Sequence, residues 1–206
     1  TWDSALLADG QMAEWIRNDP DTAAFFGKTP QPPAPFTGEV EALWSLGRAA
    51  DGTLYAGCKP AMLYASRDDG ASWAPVAGLN AYPGREGWTP GAVGLTLHSI
   101  VPAPDPERLW LGISAAGVFA TEDGGATFER RNRLSNAEAC QHAHHPAAPS
   151  GGETGLCVHN MVRADAAGDL LYQQNHHGVF RSRDGGRSWD DITTGLPSTF
   201  GFPIAV

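Results

Sequence analysis

The sequence has no cluster of lysine and arginine, and its formal net charge is -9. Nucleic acids and anionic membrane surfaces bind proteins through cations that displace counterions. The absence of a basic cluster therefore argues against both classes of partner.

Long apolar runs are also missing. No stretch approaches the roughly 18 residues of a transmembrane helix, and no charged-then-apolar leader stands at the start. The chain as given is therefore expected to be soluble and not to bind a membrane. Charged residues are only 18% of the 206 residues, whereas 25 glycines, 16 prolines and 7 tryptophans are typical of a turn-rich, all-β protein.

One octapeptide pattern, Ser/Thr-x-Asp-x-Gly-x-Ser/Thr-Trp/Phe, occurs three times, at residues 66–73, 121–128 and 182–189. Self-similarity at such intervals indicates one supersecondary unit repeated along the chain. An aromatic strand precedes each copy, so the pattern predicts a hairpin turn. In such a turn glycine adopts a positive φ without strain, and hydroxyl and carboxylate groups accept hydrogen bonds from the turn amides.

The aspartates of this pattern are therefore predicted to support the turn and not to catalyse a reaction. The closing aromatic side chains are predicted to be buried between one repeat and the next. The predicted structural residues are Ser66, Asp68, Gly70 and Trp73 in the first copy, Thr121, Asp123, Gly125 and Phe128 in the second, and Ser182, Asp184, Gly186 and Trp189 in the third.

Further strand patterns and turns precede each octapeptide, so each unit is predicted to contain four antiparallel strands. Such a unit is one blade of a β-propeller. Complete blades are predicted at about 38–77, 96–131 and 157–193, and the first strand of another at 200–206. The predicted fold class is an all-β propeller.

The octapeptide resembles the Asp-box, or BNR repeat, of sialidase-like and related glycosidase propellers and of sortilin-type and WD40/YVTN/BNR-like propellers. The resemblance covers residues 37–206. Residues 174–178 and 195–204 are similar to a bacterial group of BNR-repeat proteins that are often called glycosyl-hydrolase-like or sialidase-like. The resemblance implies a functional site on the propeller face opposite the Asp-box turns.

Residues 1–36 form a separate N-terminal segment in this interpretation. Residues 4–8 and 12–16 have helical spacing, and residues 30–35 form a stiff Pro-rich linker. Because a propeller must close, either the chain is part of a longer protein with more blades, or residues 1–36 complete a fourth blade. The helical spacing favours the first alternative, a partial propeller.

Histidines mark the face opposite the Asp-box turns. His98 and His159 occupy equivalent positions where the innermost strands begin, and Trp44 holds that position in the first blade. His176 and His177 lie in a loop on the same face. These four histidines are the candidate catalytic residues, as general bases or sugar-contacting donors, although histidines at a channel mouth can also serve only to solvate it. Predicted ligand contacts are Trp44, Trp88 and Asn175.

A second candidate site is the Cys- and His-rich stretch that precedes the third blade. Cys140, His142, His144 and Cys157 carry N and S ligands suited to zinc or another divalent metal, but their spacing matches no standard zinc motif. The alternatives are a disulfide between Cys140 and Cys157 and a solvated insertion. Cys58 is predicted to be a buried core residue.

These residues leave two functions open. A sialidase-type set of Tyr, Glu, Asp and three Arg cannot be assembled, and acidic residues on the candidate face are few: Glu86, Glu138 and Glu153. We therefore expect a module that binds a small-molecule or glycan ligand, or a protein partner, through its His-bearing loops. The alternative is a glycoside hydrolase-like enzyme.

Overall fold

The computed structural model describes residues 11–30, 40–136, 152–164 and 168–206. The chain divides into two compact units with a boundary between Leu43 and Trp44. The helical spacing predicted at residues 4–8 and most of the predicted Pro-rich linker lie outside the described residues.

The described part of the first unit contains two short helices, α1 (Gln11–Asn18) and α2 (Pro20–Phe25). The helix predicted at residues 12–16 lies within α1. Asp19 caps α2, because its carboxylate accepts hydrogen bonds from the Asp21 amide (3.0 Å) and the Thr22 hydroxyl (2.6 Å). Pro20 occupies the first turn, where a missing N–H costs nothing.

Residues 42–206, which start two residues before the boundary between the units, contain three four-stranded antiparallel sheets, each with its strands in chain order. This arrangement confirms the predicted four-stranded units. The strands of the first sheet are β1 (Ala42–Arg48), β2 (Leu54–Lys59), β3 (Leu63–Ser66) and β4 (Ala74–Pro75). Those of the second are β5 (Thr96–Pro102), β6 (Leu109–Ser114), β7 (Gly117–Thr121) and β8 (Glu129–Arg130). Those of the third are β9 (Val158–Arg163), β10 (Leu171–Asn175), β11 (Gly178–Ser182) and β12 (Asp190–Asp191).

The connection from the first sheet to the second carries a short helix, α3 (Ala77–Asn80), and a 3-10 turn at Arg85–Gly87. Among the described residues, none of the helices has the length and apolar character needed to cross a bilayer.

The core lies between successive sheets. One cluster of buried side chains joins the first and second sheets and includes Leu63, Leu97 and Phe119. Another joins the second and third and includes Trp110 and Trp189. Two indole N–H groups also cross that second boundary: Trp110 donates to Gly185 O (2.8 Å) and Trp189 to Arg131 O (2.9 Å). Burial of large aromatic surface therefore joins each sheet to the next.

The aromatic residues that close the three octapeptides are not equally buried. Trp189 is fully buried, whereas Trp73 and Phe128 are only partly buried. The expectation of burial between repeats therefore holds fully for the third copy, which packs in the cluster between the second and third sheets.

Glycine permits the close packing of one sheet on the next. A Cβ on Gly57 would lie 2.6 Å from Leu97 Cδ2, and one on Gly112 would lie 2.7 Å from Val158 Cγ1. Both contacts join a second strand to the innermost strand of the following sheet. In the third sheet, Gln174 takes the place of Gly112: Gly112 pairs with Ser99, and Gln174 pairs with Asn160.

The three octapeptides form the same hydrogen-bonded turn. In the second copy, Asp123 Oδ1 accepts from the Thr127 amide (2.9 Å) and the Thr121 hydroxyl (2.7 Å), and Asp123 Oδ2 accepts from the Thr127 hydroxyl (2.6 Å). The amide of Gly125, which has a positive φ, donates to Thr121 Oγ1 (2.9 Å). The other two copies repeat these bonds around Asp68 and Asp184. Each carboxylate is therefore engaged inside its own turn.

The strand predicted at 200–206 is not formed. The segment instead folds against the third sheet, where Gln174 Nε2 donates to Thr199 O (3.0 Å) and His159 Nδ1 lies 2.7 Å from Gly201 O. Gln174 and Gly201 are in close contact, since a Cβ on Gly201 would lie 3.1 Å from Gln174 Oε1. Side-chain hydrogen bonds thus hold this segment where a ladder of strand hydrogen bonds was expected.

The close approach at Gly112 makes a direct prediction. We expect Gly112→Ala to lower the free energy of unfolding by about 1–3 kcal/mol, because the added methyl group overpacks the contact with Val158. Urea denaturation measures this change. The control is Gly87→Ala, where a Cβ meets nothing within 4 Å, and its effect should stay within about 0.5 kcal/mol. Equal stabilities of the two variants would contradict the packing argument.

The octapeptide turns predict sensitivity to acid. The hydrogen bond from the Ser72 hydroxyl, with those from the Ser72 amide and Ser66, lowers the pKa of Asp68 to about 2. A carboxyl pKa that is depressed in the folded state contributes stability above its unfolded value, near 4, and that contribution is lost as pH falls toward about 2. We expect Asp68→Asn to lower stability at pH 5 and to flatten its decline between pH 4 and 2. The control, Asp69→Asn, alters an almost fully exposed carboxylate 4.0 Å from Arg48, and should leave the pH profile unchanged.

Candidate functional site

A cavity of about 620 Å³ lies where the innermost strands begin. It draws residues from all three sheets: Trp44 from β1, His98 from β5 and His159 from β9. His176, which follows β10, also lines it. The three positions that the repeat alignment treats as equivalent therefore share one cavity wall.

The imidazole rings follow one another around this wall. The ring centroids of Trp44 and His98 are 5.2 Å apart, those of His98 and His159 are 6.1 Å apart, and those of His159 and His176 are 5.4 Å apart. One side of the wall is therefore a series of neighbouring rings from Trp44 to His176.

β-Bulges set the positions of His98 and His159. Between β5 and β6 the register shifts between Leu97 and Ser99, so His98 is the unpaired residue. Between β9 and β10 the pairing passes from Val158 to Asn160, so His159 is unpaired. A bulge re-aims a side chain that regular alternation would place elsewhere, and bulges are frequent beside functional sites.

His159 has a defined donor nitrogen. Its Nδ1 lies 2.7 Å from the carbonyl oxygen of Gly201, and because a carbonyl only accepts, Nδ1 carries the proton. Its Nε2 faces Cys157 Sγ at 3.7 Å. In the neutral ring, Nε2 therefore presents its lone pair toward the cysteine.

Cys157 is a buried cysteine of the cavity wall and has no disulfide partner among the described residues. Its Sγ lies 2.8 Å from Ser114 Oγ, and its carbonyl accepts the amide N–H of His176 (3.0 Å). Burial raises the pKa of the thiol, although the hydrogen bond with Ser114 opposes this change. Because the nucleophilic form of cysteine is the thiolate, this environment does not favour Cys157 as a nucleophile by itself.

His98 is neutral at physiological pH. Burial, together with the nearby charge of His159, lowers the pKa of His98 to about 4. Its Nε2 is buried and has no hydrogen-bond partner within the described residues. An unsatisfied buried nitrogen is costly, and here it belongs to a residue of the cavity wall.

Cys157, His159 and His176 form the metal-binding candidate of the described chain. One ligand atom from each lies within 4.8 Å of the other two. Of the metal ligands predicted from sequence, only Cys157 belongs to this group. Cys140, His142 and His144 lie outside the described residues, so their role as ligands and the Cys140–Cys157 disulfide stay predictions.

The described wall of the cavity contains no Asp, Glu, Lys or Arg. Of the acidic residues considered, Glu153 pairs with Arg130 through two hydrogen bonds of 3.1 and 2.7 Å. Glu86 lies on the exposed 3-10 turn, and Glu138 is outside the described residues. The described part of the cavity wall thus carries no acidic or basic side chain apart from its histidines.

Three residues predicted to act at the site lie away from the cavity wall. Trp88 packs against Tyr82 and Phe119, with ring centroids 5.8 and 5.0 Å away. Asn175 is fully buried, donates to the Gly155 carbonyl and accepts the His177 amide N–H (3.2 Å). His177 is itself buried beneath the loop, while His176 reaches the cavity. The side chains of Trp88 and Asn175 were expected to contact a ligand. Trp88 instead packs against other aromatic rings, and Asn175 forms hydrogen bonds within the loops.

Phe200 and Phe202 are site residues that the sequence did not predict. The Phe202 ring stacks on His159 (centroids 4.4 Å apart, planes 14° apart), and Phe200 meets His176 edge-on at 4.9 Å. The similarity of residues 195–204 to BNR-repeat proteins was a signal, but residues 200–206 were predicted to form a strand of another blade.

Comparison with known proteins supports the fold. No family model and no curated protein matches the chain. Among solved structures, an ancestral GH74 enzyme is similar, with 15% identity and a TM-score of 0.51 over 74% of this chain and 18% of that one. The GH74 xyloglucanase from Xanthomonas campestris has 20% identity and a TM-score of 0.47 over 77% and 24% of the two chains. YCF48 bound to D1 peptide has 14% identity and a TM-score of 0.48 over 74% and 42%.

The chain therefore spans less than half the length of each of these proteins. At these identities the similarity concerns the fold alone, and it identifies the three sheets as blades of a β-propeller.

Proposed function

We propose that the chain is a BNR/Asp-box, sialidase-like propeller segment that binds an uncharged ligand through the cavity at its His-bearing face. The favoured ligand class is a neutral glycan. The observation that carries this proposal is the composition of the described cavity wall, which combines six aromatic or imidazole rings with small and aliphatic residues and has no Asp, Glu, Lys or Arg.

Apolar ring surface is available to a ligand in the cavity. Trp44 is 46% exposed, Phe200 48% and Phe202 53%, although all three line the cavity. Large exposed aromatic side chains grouped at a concave site are typical of ligand recognition. A sugar ring presents an apolar face that can pack on such surfaces, while the imidazoles can exchange hydrogen bonds with its hydroxyl groups.

The same wall disfavours the enzymatic alternative, a glycoside hydrolase-like activity on a glycan. Glycosidases generally place two carboxyl groups about 5–10 Å apart across the scissile bond, and the described wall offers none. A sialic acid ligand would also bring a carboxylate into a cavity whose described wall has no arginine to pair with it. The Asp-box aspartates do not fill this role, because their oxygens accept hydrogen bonds inside their own turns.

Calorimetric titration with a neutral probe tests the proposal. We expect a xyloglucan heptasaccharide to bind at least tenfold more tightly than sialyllactose. Trp44→Ala should weaken binding of the neutral probe about tenfold, since loss of one aromatic contact costs about 0.5–1.5 kcal/mol beyond its buried area. The control is Trp15→Ala, because Trp15 is similarly exposed (51%) but lies on α1.

Three results would overturn the proposal. Preferred binding of sialyllactose contradicts an uncharged ligand. Binding that is unchanged in Trp44→Ala contradicts the cavity as the site. Hydrolysis of the heptasaccharide, measured as release of reducing ends, would establish the hydrolase alternative instead. In that case Trp44→Ala should abolish the release and Trp15→Ala should not.

A further inference from the structure

We propose that Cys157, His159 and His176 bind a zinc ion at the base of the cavity, with a fourth coordination position open toward the cavity. The inference deepens the proposed function, since the ion would share the wall of the same ligand pocket. Zinc binding itself requires no organic ligand, so the two proposals can fail separately.

The separation of the ligand atoms fits zinc. With Zn–S near 2.3 Å and Zn–N near 2.0–2.1 Å, tetrahedral coordination places sulfur and nitrogen about 3.5–3.6 Å apart. Cys157 Sγ and His159 Nε2 are 3.7 Å apart. The three ligand atoms all lie within 4.8 Å of one another, so the longest separation exceeds the tetrahedral value by about 1.2–1.5 Å, which a side-chain adjustment of that size would close.

The backbone places these three residues together. Cys157 immediately precedes β9, and the bulge at His159, the second residue of β9, leaves its Nε2 3.7 Å from Cys157 Sγ. His176 approaches from the end of β10, where its amide donates to the carbonyl of Cys157. The site is thus built across two paired strands and does not depend on a single flexible loop.

Outer hydrogen bonds orient two of the ligands. The proton on His159 Nδ1 is held by the Gly201 carbonyl, which leaves Nε2 as the coordinating atom. Ser114 Oγ lies 2.8 Å from Cys157 Sγ and can donate to a thiolate. Metal-bound histidines generally have such a second partner, which fixes the ring and its tautomer.

The chemistry of the ligand set selects the ion. One thiolate and two imidazoles suit zinc and other borderline or soft transition metals, whereas Mg²⁺ and Ca²⁺ require oxygen ligands. Coordination converts the Cys157 thiol to a thiolate and releases its proton to solvent. Three protein ligands with one open position are typical of zinc sites that bind an exogenous group.

His98 adds an independent observation. Its Nε2 is buried without a hydrogen-bond partner within the described residues, and its ring centroid lies 6.1 Å from that of His159. A zinc-bound water or ligand oxygen in the open position would place a hydrogen-bonding group in this part of the cavity.

Zinc titration of the full chain, purified without added metal or a His-tag, tests the inference. Competition with a chromophoric chelator should give one zinc per chain. Cys157→Ser and His176→Gln should each weaken zinc binding more than about 100-fold. Loss of a residue that only hydrogen-bonds to a zinc ligand is expected to weaken it about 10–100-fold. Cobalt substitution should give a thiolate-to-cobalt absorption band that Cys157→Ser abolishes.

Two controls make the test specific. Cys140→Ser changes the other cysteine predicted to be a ligand, and it should retain both the affinity and the cobalt band. Near-ultraviolet circular dichroism of the metal-free variants should match that of the parent chain, which shows that they fold. If Cys157→Ser does not fold, His176→Gln tests the ligand set in its place.

Less than one tenth of an equivalent of zinc at saturation would overturn the site. Loss of binding in Cys140→Ser would overturn the assignment of its ligands. Titration of the metal-free chain with the heptasaccharide separates the two proposals. Heptasaccharide binding by a chain that binds no zinc overturns only the zinc site. Zinc binding by a chain that binds no glycan overturns only the proposed function.

Discussion

The close contact between successive blades determines how the three blades and their shared cavity are arranged. At Gly57 and Gly112 the second strand of one blade has no side chain, and Leu97 or Val158 of the next blade's innermost strand occupies that space. Because a Cβ cannot be accommodated there without movement, the innermost strands are brought close together. Residues at the starts of these strands consequently meet around one cavity, although they are far apart in the chain.

The site follows from two departures from this regular arrangement. Bulges at His98 and His159 interrupt the alternation of the innermost strands and direct both imidazoles to the cavity. In the third blade, Gln174 replaces the glycine of the preceding blade and bonds to the segment that carries Phe200 and Phe202. The same position of the repeated unit is therefore a glycine that packs against the next blade in the first two blades. In the third blade it is a glutamine that holds the aromatic edge of the cavity.

Repetition made much of this architecture predictable. Alignment of the three units places Trp44, His98 and His159 at equivalent positions, and all three line one cavity. It also indicated that the aspartates belong to turns, and their carboxylates do bond within those turns. Trp88 and Asn175 could not be placed in this way, because whether a loop side chain faces solvent or the core depends on contacts with other elements, such as that between Trp88 and Phe119.

The sequence by itself determined the three four-stranded units, their turn chemistry and the face on which histidines gather, because local hydrogen bonding and strand periodicity repeat with the motif. Only the tertiary structure decided which histidines meet Cys157, that the described cavity wall lacks carboxylates, and that Phe202 covers His159. Those relations depend on strand register, on two bulges and on the path of residues 199–202. Each depends on contacts among residues outside the octapeptides, such as those of residues 199–201 with Gln174 and His159, and the repeated motif does not specify them.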